Sequence, residues 1–147
     1  MTYPFQHIKC WEGLSNLQGT QYYHVRNLQG DVVQIRNNYG IAVVEYTYDA
    51  WGNVLSITGQ YASSLGKDNP IRYRGYYYDS ETGFYYLQSR YYDPAIRRFI
   101  SADDPEMLGA SGTFIGYNLY AYCDNNPVMY VDPYGCASYS GIVGFGI

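Results

Sequence analysis

Tyrosines placed two apart, followed at once by an aspartate and a few residues later by a glycine, occur twice in this chain. The copies are Tyr46-x-Tyr48-Asp49-x-x-Gly52-Asn53 and, thirty positions on, Tyr76-x-Tyr78-Asp79-x-x-x-Gly83. Residues two apart share a face when the chain is extended. An Asp can accept hydrogen bonds from turn amides, and Gly enters the left-handed region without steric cost. Each copy therefore reads as a strand running into a hairpin turn, and such repeats bury a continuous face by stacking on neighbours. Composition agrees. The 147 residues hold 21 Tyr against 5 Phe and 2 Trp, with 16 Gly, and only 15% are charged, where about 25% is usual. Tyr favours half-buried pleated surfaces, while a Tyr- and Gly-rich chain poor in Lys and Glu has too little helix propensity for a helical bundle.

Reading along the chain extends the hairpin pattern. Asp31–Arg36 alternates apolar and polar residues, Asn37-Asn38-Tyr39-Gly40 supplies a turn, and Ile41–Tyr48 resumes the strand. Asp49–Asn53 turns again before a short strand at Val54–Ile57, and residues 59–70 are small, polar and Pro-terminated, which predicts a loop. Strands are expected at Ile71–Arg74 and Tyr76–Tyr78, then a turn at Asp79–Gly83 and one return strand from Phe84 to Tyr92. Beyond it come a last strand near Arg97–Ser101, a short helix near 118–124 capped by Asn118 and ended by Asn125-Asn126-Pro127, and a brief strand at Val128–Val131. The expected fold is mainly β, with antiparallel hairpins forming a curved sheet. The expected division is a partly ordered segment 1–21, hairpins over 22–92, a core region over 93–135, and a tail over 136–147.

Charge and motifs exclude several functions. Nine basic against 13 acidic residues and a net charge of −4 provide no electrostatic footprint for nucleic acid. No apolar run reaches the ~18 residues of a membrane-spanning helix, and the start MTYPFQHIKCWEG lacks the apolar stretch of a signal peptide. Cys10, Cys123 and Cys136 are an odd, scattered set, against a disulfide framework. His7-x-x-Cys10, with His24 further on, lacks the second ligand pair of a zinc site, so no metal or other cofactor is expected. G-x-S-x-G, HExxH and P-loop motifs are absent, and Cys136 has no suitably spaced His partner.

Longer motifs carry a resemblance. Tyr73-Arg-Gly-Tyr-Tyr-Tyr-Asp79, Gly83-Phe-Tyr-Tyr-Leu-Gln-Ser-Arg-Tyr-Tyr-Asp-Pro94, Arg98-Phe-Ile-Ser-x-Asp103, Asn118-Leu-Tyr-Ala-Tyr-x-x-Asn125-Asn-Pro127 and Asp132-Pro-Tyr-Gly135 together resemble the core region of Rhs (rearrangement hotspot) repeat proteins. The segments 22–33 and 46–53 look like the YD repeats that precede that core, of the bacterial wall-associated type rather than the animal teneurin type. The resemblance covers roughly residues 22–135. It implies a sheet ribbon wound into a hollow cocoon, closed at one end by the core, with a variable C-terminal toxin held inside. It also implies an aspartic-protease-like centre that cuts the chain just after the DPxG motif, and a bacterial protein that is secreted or associated with the cell surface or wall.

Carried onto this chain, the implied carboxylates are Asp132 and either Asp103 or Asp104, with Arg98 pairing with one of them, and the cut falls in the region of Gly135 and Cys136. Hydrolysis by two carboxyl groups needs one protonated and one ionised, a state that close like charges impose on each other. The sequence departs from the family at Cys136, where many relatives have Leu. Each of the three aspartates also suits a plain turn-forming role. Implied partners are the rest of such a shell or other copies of this chain, since open sheet edges invite pairing, and a C-terminal toxin segment, of which 136–147 could be only a stub. Three origins stay open: a shortened gene end, an excised fragment, or a chain that assembles with others. The alternative function is a binding module whose Tyr rows stack on cell-wall glycan without any processing activity.

Overall fold

The computed structural model describes residues 21–107, 117–136 and 139–140. Two compact units are present. One holds the described residues up to Asp49 together with Val54–Gly75, and the other holds Ala50–Asn53 and the described residues from Tyr76 onward.

The first unit is a four-stranded antiparallel meander of β1 (Tyr22–Arg26), β2 (Val32–Asn37), β3 (Ala42–Tyr48) and β4 (Val54–Thr58), paired in chain order. Register places His24 opposite Ile35, Gln34 opposite Glu45 and Tyr46 opposite Ile57. Each of the three pairings shifts register once, at Val25/Arg26, Ile35/Arg36 and Thr47/Tyr48, and such bulges sharpen strand twist. Val32, Ile35, Val43, Val44, Tyr46 and Leu65 form the core. The turns share one chemistry. Asn27 Oδ1 accepts from the amides of Gln29 and Asp31, each at 3.0 Å, and Asn37 Oδ1 accepts from those of Tyr39 and Ile41, also at 3.0 Å. In both turns the glycine three residues on, Gly30 or Gly40, has positive φ.

Two segments differ from expectation here. The loop over 59–70 contains the fold's α-helix, α1 (Leu65–Asp68). One turn of helix is too short to persist unaided; burial of Leu65 anchors it, and Arg72 satisfies its end, donating to Lys67 O at 2.9 Å and Asn69 O at 3.0 Å. The strand expected at Ile71–Arg74 instead tightens into a 3₁₀ turn at Tyr73–Gly75, with Arg74 at φ 54°. Asp31 Oδ1 captures the Arg74 amide at 2.9 Å, a side-chain acceptor taking the place of a strand partner.

The second unit is another meander, β5 (Tyr77–Asp79), β6 (Phe84–Tyr86), β7 (Tyr91–Asp93) and β8 (Arg98–Phe99), with a two-stranded pair β9 (Tyr130–Val131) and β10 (Tyr139–Ser140). Register sorts its aromatics into two rows. Tyr78, Tyr85, Tyr92 and Phe99 face one another across the four strands; Tyr85, Tyr92 and Phe99 are buried, and Tyr122 stacks on Tyr92 at 4.1 Å. Tyr77, Tyr86 and Tyr91 form the neighbouring row, all exposed. The buried phenols are satisfied by turn carbonyls: Tyr85 donates to Gly52 O at 2.8 Å and Tyr92 to Trp51 O at 2.7 Å.

The run from Phe84 to Tyr92 is not one strand. It turns at Leu87–Arg90, where Gln88 has φ 65° and Leu87 N donates to Arg90 O at 3.0 Å. No α-helix forms near 118–124 either. Tyr120 O accepts from Phe99 N and Leu119 O from Asp103 N, so carbonyls a helix would consume serve β8 and its sequel. The segment ends in a turn at Cys123–Asn125, whose three residues all have positive φ.

Candidate functional site

The turn at Leu87–Arg90 aims Arg90 into the second unit, where three backbone or carboxylate oxygens converge on one guanidinium. Arg90 Nη2 donates to Asp103 Oδ2 at 2.9 Å, Nη1 to Leu119 O at 2.8 Å, and Nε to the carbonyl of Gly135. The Phe99 ring lies 3.7 Å beneath it. Burial pulls the Arg90 guanidinium below its usual range, while Asp103, Asp132 and Cys136 act in the opposite direction.

The DPYG segment wraps around Asp132, which is 2% exposed. Asp132 Oδ1 accepts from three successive amides, Tyr134 at 3.3 Å, Gly135 at 2.8 Å and Cys136 at 3.2 Å. Gly135 has φ 76°. This is the Asn27 and Asn37 turn over again, an Asx side chain at the first position and a left-handed glycine three on. The loop's carbonyls are also held: Tyr76 OH donates to Asp132 O at 2.8 Å, and Ser89 Oγ to Tyr134 O at 2.6 Å. Burial pushes the Cys136 thiol up, with Asp132 and Asp103 adding to the effect and Arg90 opposing it, so the thiol is not activated as a nucleophile.

Of the residues singled out in the sequence, Asp103, Asp132, Gly135 and Cys136 are thus gathered around Arg90. Asp104 is exposed; its carboxylate accepts from the Glu106 amide at 3.0 Å and its amide donates to Asp103 Oδ1 at 2.9 Å, the bonding of a turn residue. Arg98 is exposed on β8, opposite Asp93. The guanidinium that pairs with Asp103 belongs to Arg90, which the sequence reading passed over inside an apparent strand. Its signal was a lone Arg in a tyrosine run, Gln88-Ser89-Arg90-Tyr91-Tyr92. His7 and Cys10 lie outside the described residues; His24 Nε2 faces Asn69 Oδ1 at 3.1 Å.

Comparison with known proteins gives the family. The sequence model described as Teneurin YD-shell matches residues 14–128. The tRNA nuclease WapA of Bacillus subtilis (strain 168) is 48% identical over 116 residues, 78% of this chain and 5% of that protein. A double-stranded DNA deaminase toxin A of Burkholderia cenocepacia (strain H111) is 41% identical over 90 residues, 61% of this chain and 6% of that protein. Among solved structures, the Tc holotoxin pore of Photorhabdus luminescens superposes with a TM-score of 0.69 at 31% identity, covering 85% of this chain and 5% of that one. A TcdB2–TccC3–Cdc42 structure gives 0.70 at 31%, covering 86% and 6%. This chain therefore spans about a twentieth of the length of these relatives. With the motif match extending over most of the sequence and the paired tyrosine meanders seen in the fold, the chain belongs to the YD-shell family of Rhs-type repeat proteins.

Proposed function

We propose that this chain is the C-terminal closing module of a YD shell enclosing a C-terminal toxin segment, and that its DPYG loop is a site of single-turnover self-cleavage. One observation carries the second part: a single buried guanidinium binds both Asp103 and the carbonyl of Gly135, in a loop whose next amide rests on Asp132. That carbonyl belongs to the Gly135–Cys136 peptide. Arg90 polarises it and stabilises the oxyanion that forms when a nucleophile adds. In this reading Asp103 takes a proton from water as the water oxygen bonds to the Gly135 carbonyl carbon. The carbon–nitrogen bond then breaks, and Asp132, whose Oδ1 already accepts from the Cys136 amide, delivers the proton carried on its Oδ2 to the departing nitrogen. Asp104 and Arg98 have no part in the chemistry. The shell's remaining repeats, or other copies of the chain, and the toxin segment are the partners of such a module, which would act outside the bacterial cell or at its surface.

Intact mass of the full chain after purification tests the proposal. The expected result is a fragment ending at Gly135, lost in Asp103→Asn, Asp132→Asn and Arg90→Gln. A chain that stays whole under all conditions refutes the cleavage and leaves the closing role.

A second reading is favoured by the exposed row Tyr77, Tyr86 and Tyr91, with Tyr86 and Tyr91 rings 5.0 Å apart. Such a row suits stacking on the sugar rings of cell-wall glycan. A glycan array separates the readings, because a structural shell shows no saccharide preference.

A further inference from the structure

Consecutive residues of the Leu87–Arg90 turn hold consecutive carbonyls of the DPYG loop: Ser89 takes that of Tyr134 and Arg90 that of Gly135. We infer that Ser89 sets the register of the loop against Arg90, so that the Gly135–Cys136 peptide, and not a neighbouring one, is presented for cutting. The inference rests on the self-cleavage reading and adds to it a residue that decides where the cut falls.

The two segments meet flush. A Cβ built on Gly135 would stand 2.7 Å from Ser89 Oγ, 2.8 Å from Leu87 O and 3.3 Å from Arg90 N. A slip of the loop by one residue in either direction would bring Tyr134 or Cys136, each with a real Cβ, against that wall. Sterics alone do not lock the register, because the loop could lift off rather than slide. The lock needs an attractive hold beside Gly135. Ser89 offers two donors. Its amide is shared between Leu87 O at 2.7 Å and Tyr134 O at 3.3 Å, so the nearer acceptor claims it. Its hydroxyl, at 2.6 Å, carries the hold on Tyr134. The positive φ of Gln88, 65°, brings Ser89 and Arg90 to bear on successive carbonyls; an extended strand would send their side chains to opposite faces.

Ser89 is thus a positioning residue that acts through the loop it holds, and its loss changes the place of cutting as well as the rate. The test is a time course of intact mass on the full chain, comparing the unaltered protein with Ser89→Ala, Ser89→Thr and Asp103→Asn, with urea midpoints measured alongside. The unaltered chain is expected to give one fragment, ending at Gly135. Ser89→Ala is expected to cut about three- to tenfold more slowly, the weight of one hydrogen bond, and to give additional ends at Tyr134 or Cys136. Ser89→Thr keeps the hydroxyl and restores both the rate and the single end. Equal urea midpoints for the unaltered chain, Ser89→Ala and Ser89→Thr exclude unfolding as the cause. Ser89→Ala cutting at the normal rate to a single end overturns the role of Ser89 and leaves the cleavage reading standing, as does a threonine variant that behaves like alanine. An unaltered chain that never cuts, like Asp103→Asn, overturns both.

Discussion

Replacing Asp132 by Asn and by Ala separates its two duties. The side chain closes a turn by accepting three amides and, in the proposed chemistry, supplies a proton. Alanine removes the acceptor entirely. The Gly135 amide, bonded at 2.8 Å and buried, would be left unsatisfied at a cost of about 1–3 kcal/mol. The amides of Tyr134 and Cys136, at 3.3 and 3.2 Å and partly exposed, can turn to water and add less, so the total loss is about 2–4 kcal/mol. Asparagine keeps the acceptor oxygen. Asn27 and Asn37 close the same turn in the first unit with paired bonds at 3.0 Å, so Asp132→Asn should cost less than about 1 kcal/mol. Urea unfolding at neutral pH measures the first quantity and intact mass the second. Asn should leave a nearly wild-type midpoint and an uncut chain; Ala should leave an uncut chain with a lowered midpoint. An Asn variant as unstable as Ala would refute the turn argument, and a stable Asn variant that still cuts would refute the chemical one.

Other perturbations have equally definite outcomes. His24 is held below its usual pKa, first by burial and then by Arg26, against the opposing hydrogen bond it donates to Asn69 Oδ1; the folded state therefore binds fewer protons than the unfolded state below about pH 6.5, and stability falls as pH drops through that window. Urea midpoints from pH 7.5 to 5 should show this slope, and His24→Gln should flatten it. Tyr92→Ala empties a fully buried site among Tyr85, Phe99 and Tyr122 and should cost about 3–5 kcal/mol, whereas Tyr92→Phe keeps the ring and loses the bond to Trp51 O, and should cost about 1 kcal/mol in the same measurement. Gly135→Ala meets both a left-handed φ of 76° and the Leu87 carbonyl at 2.8 Å; it should lower the midpoint by about 2 kcal/mol or more and abolish any cleavage seen by mass.

Period-two tyrosines, Asx–Gly turns and β-branched runs announced the hairpins, because both the alternation and the turn chemistry are local. What stayed hidden was non-local. The α1 turn exists because Arg72 reaches back to its carbonyls, and Tyr73–Gly75 departs from strand because Asp31, forty-odd positions earlier, takes an amide. The turn at Leu87–Arg90 and the segment 118–124, where carbonyls are taken by Phe99 N and Asp103 N, meet at one side chain. Leu119 O and Gly135 O are both acceptors for Arg90, and no local pattern in either segment encodes a partner that distant. The motif resemblance singled out Asp103 and Asp132, but not Arg90, which bonds Asp103 and the Gly135 carbonyl and sits in a run whose alternation looks like any other strand.

Two buried Arg–Asp pairs show what is particular about the second unit. Asp31 pairs with Arg74 at 3.7 Å while accepting the Arg74 amide at 2.9 Å, and the Arg74 guanidinium lies over Tyr73. That pair holds one loop against another, Arg74 Nη1 also donating to Gln29 O at 3.2 Å. Asp103 and Arg90 are as close as 2.9 Å, yet the same guanidinium also reaches a peptide carbonyl whose following amide rests on a further buried aspartate. The turn at 132–135 is closed by one acceptor oxygen, Asp132 Oδ1, and the first unit makes that turn twice with neutral Asn. Burying a carboxylate costs more than burying an amide, and at 132 that cost is offset in part by the nearby Arg90 guanidinium, whose charged form Asp132 supports. In the proposed chemistry the acid at 132 is the proton donor, so Asp132→Asn is the substitution that should preserve the turn while removing that donor.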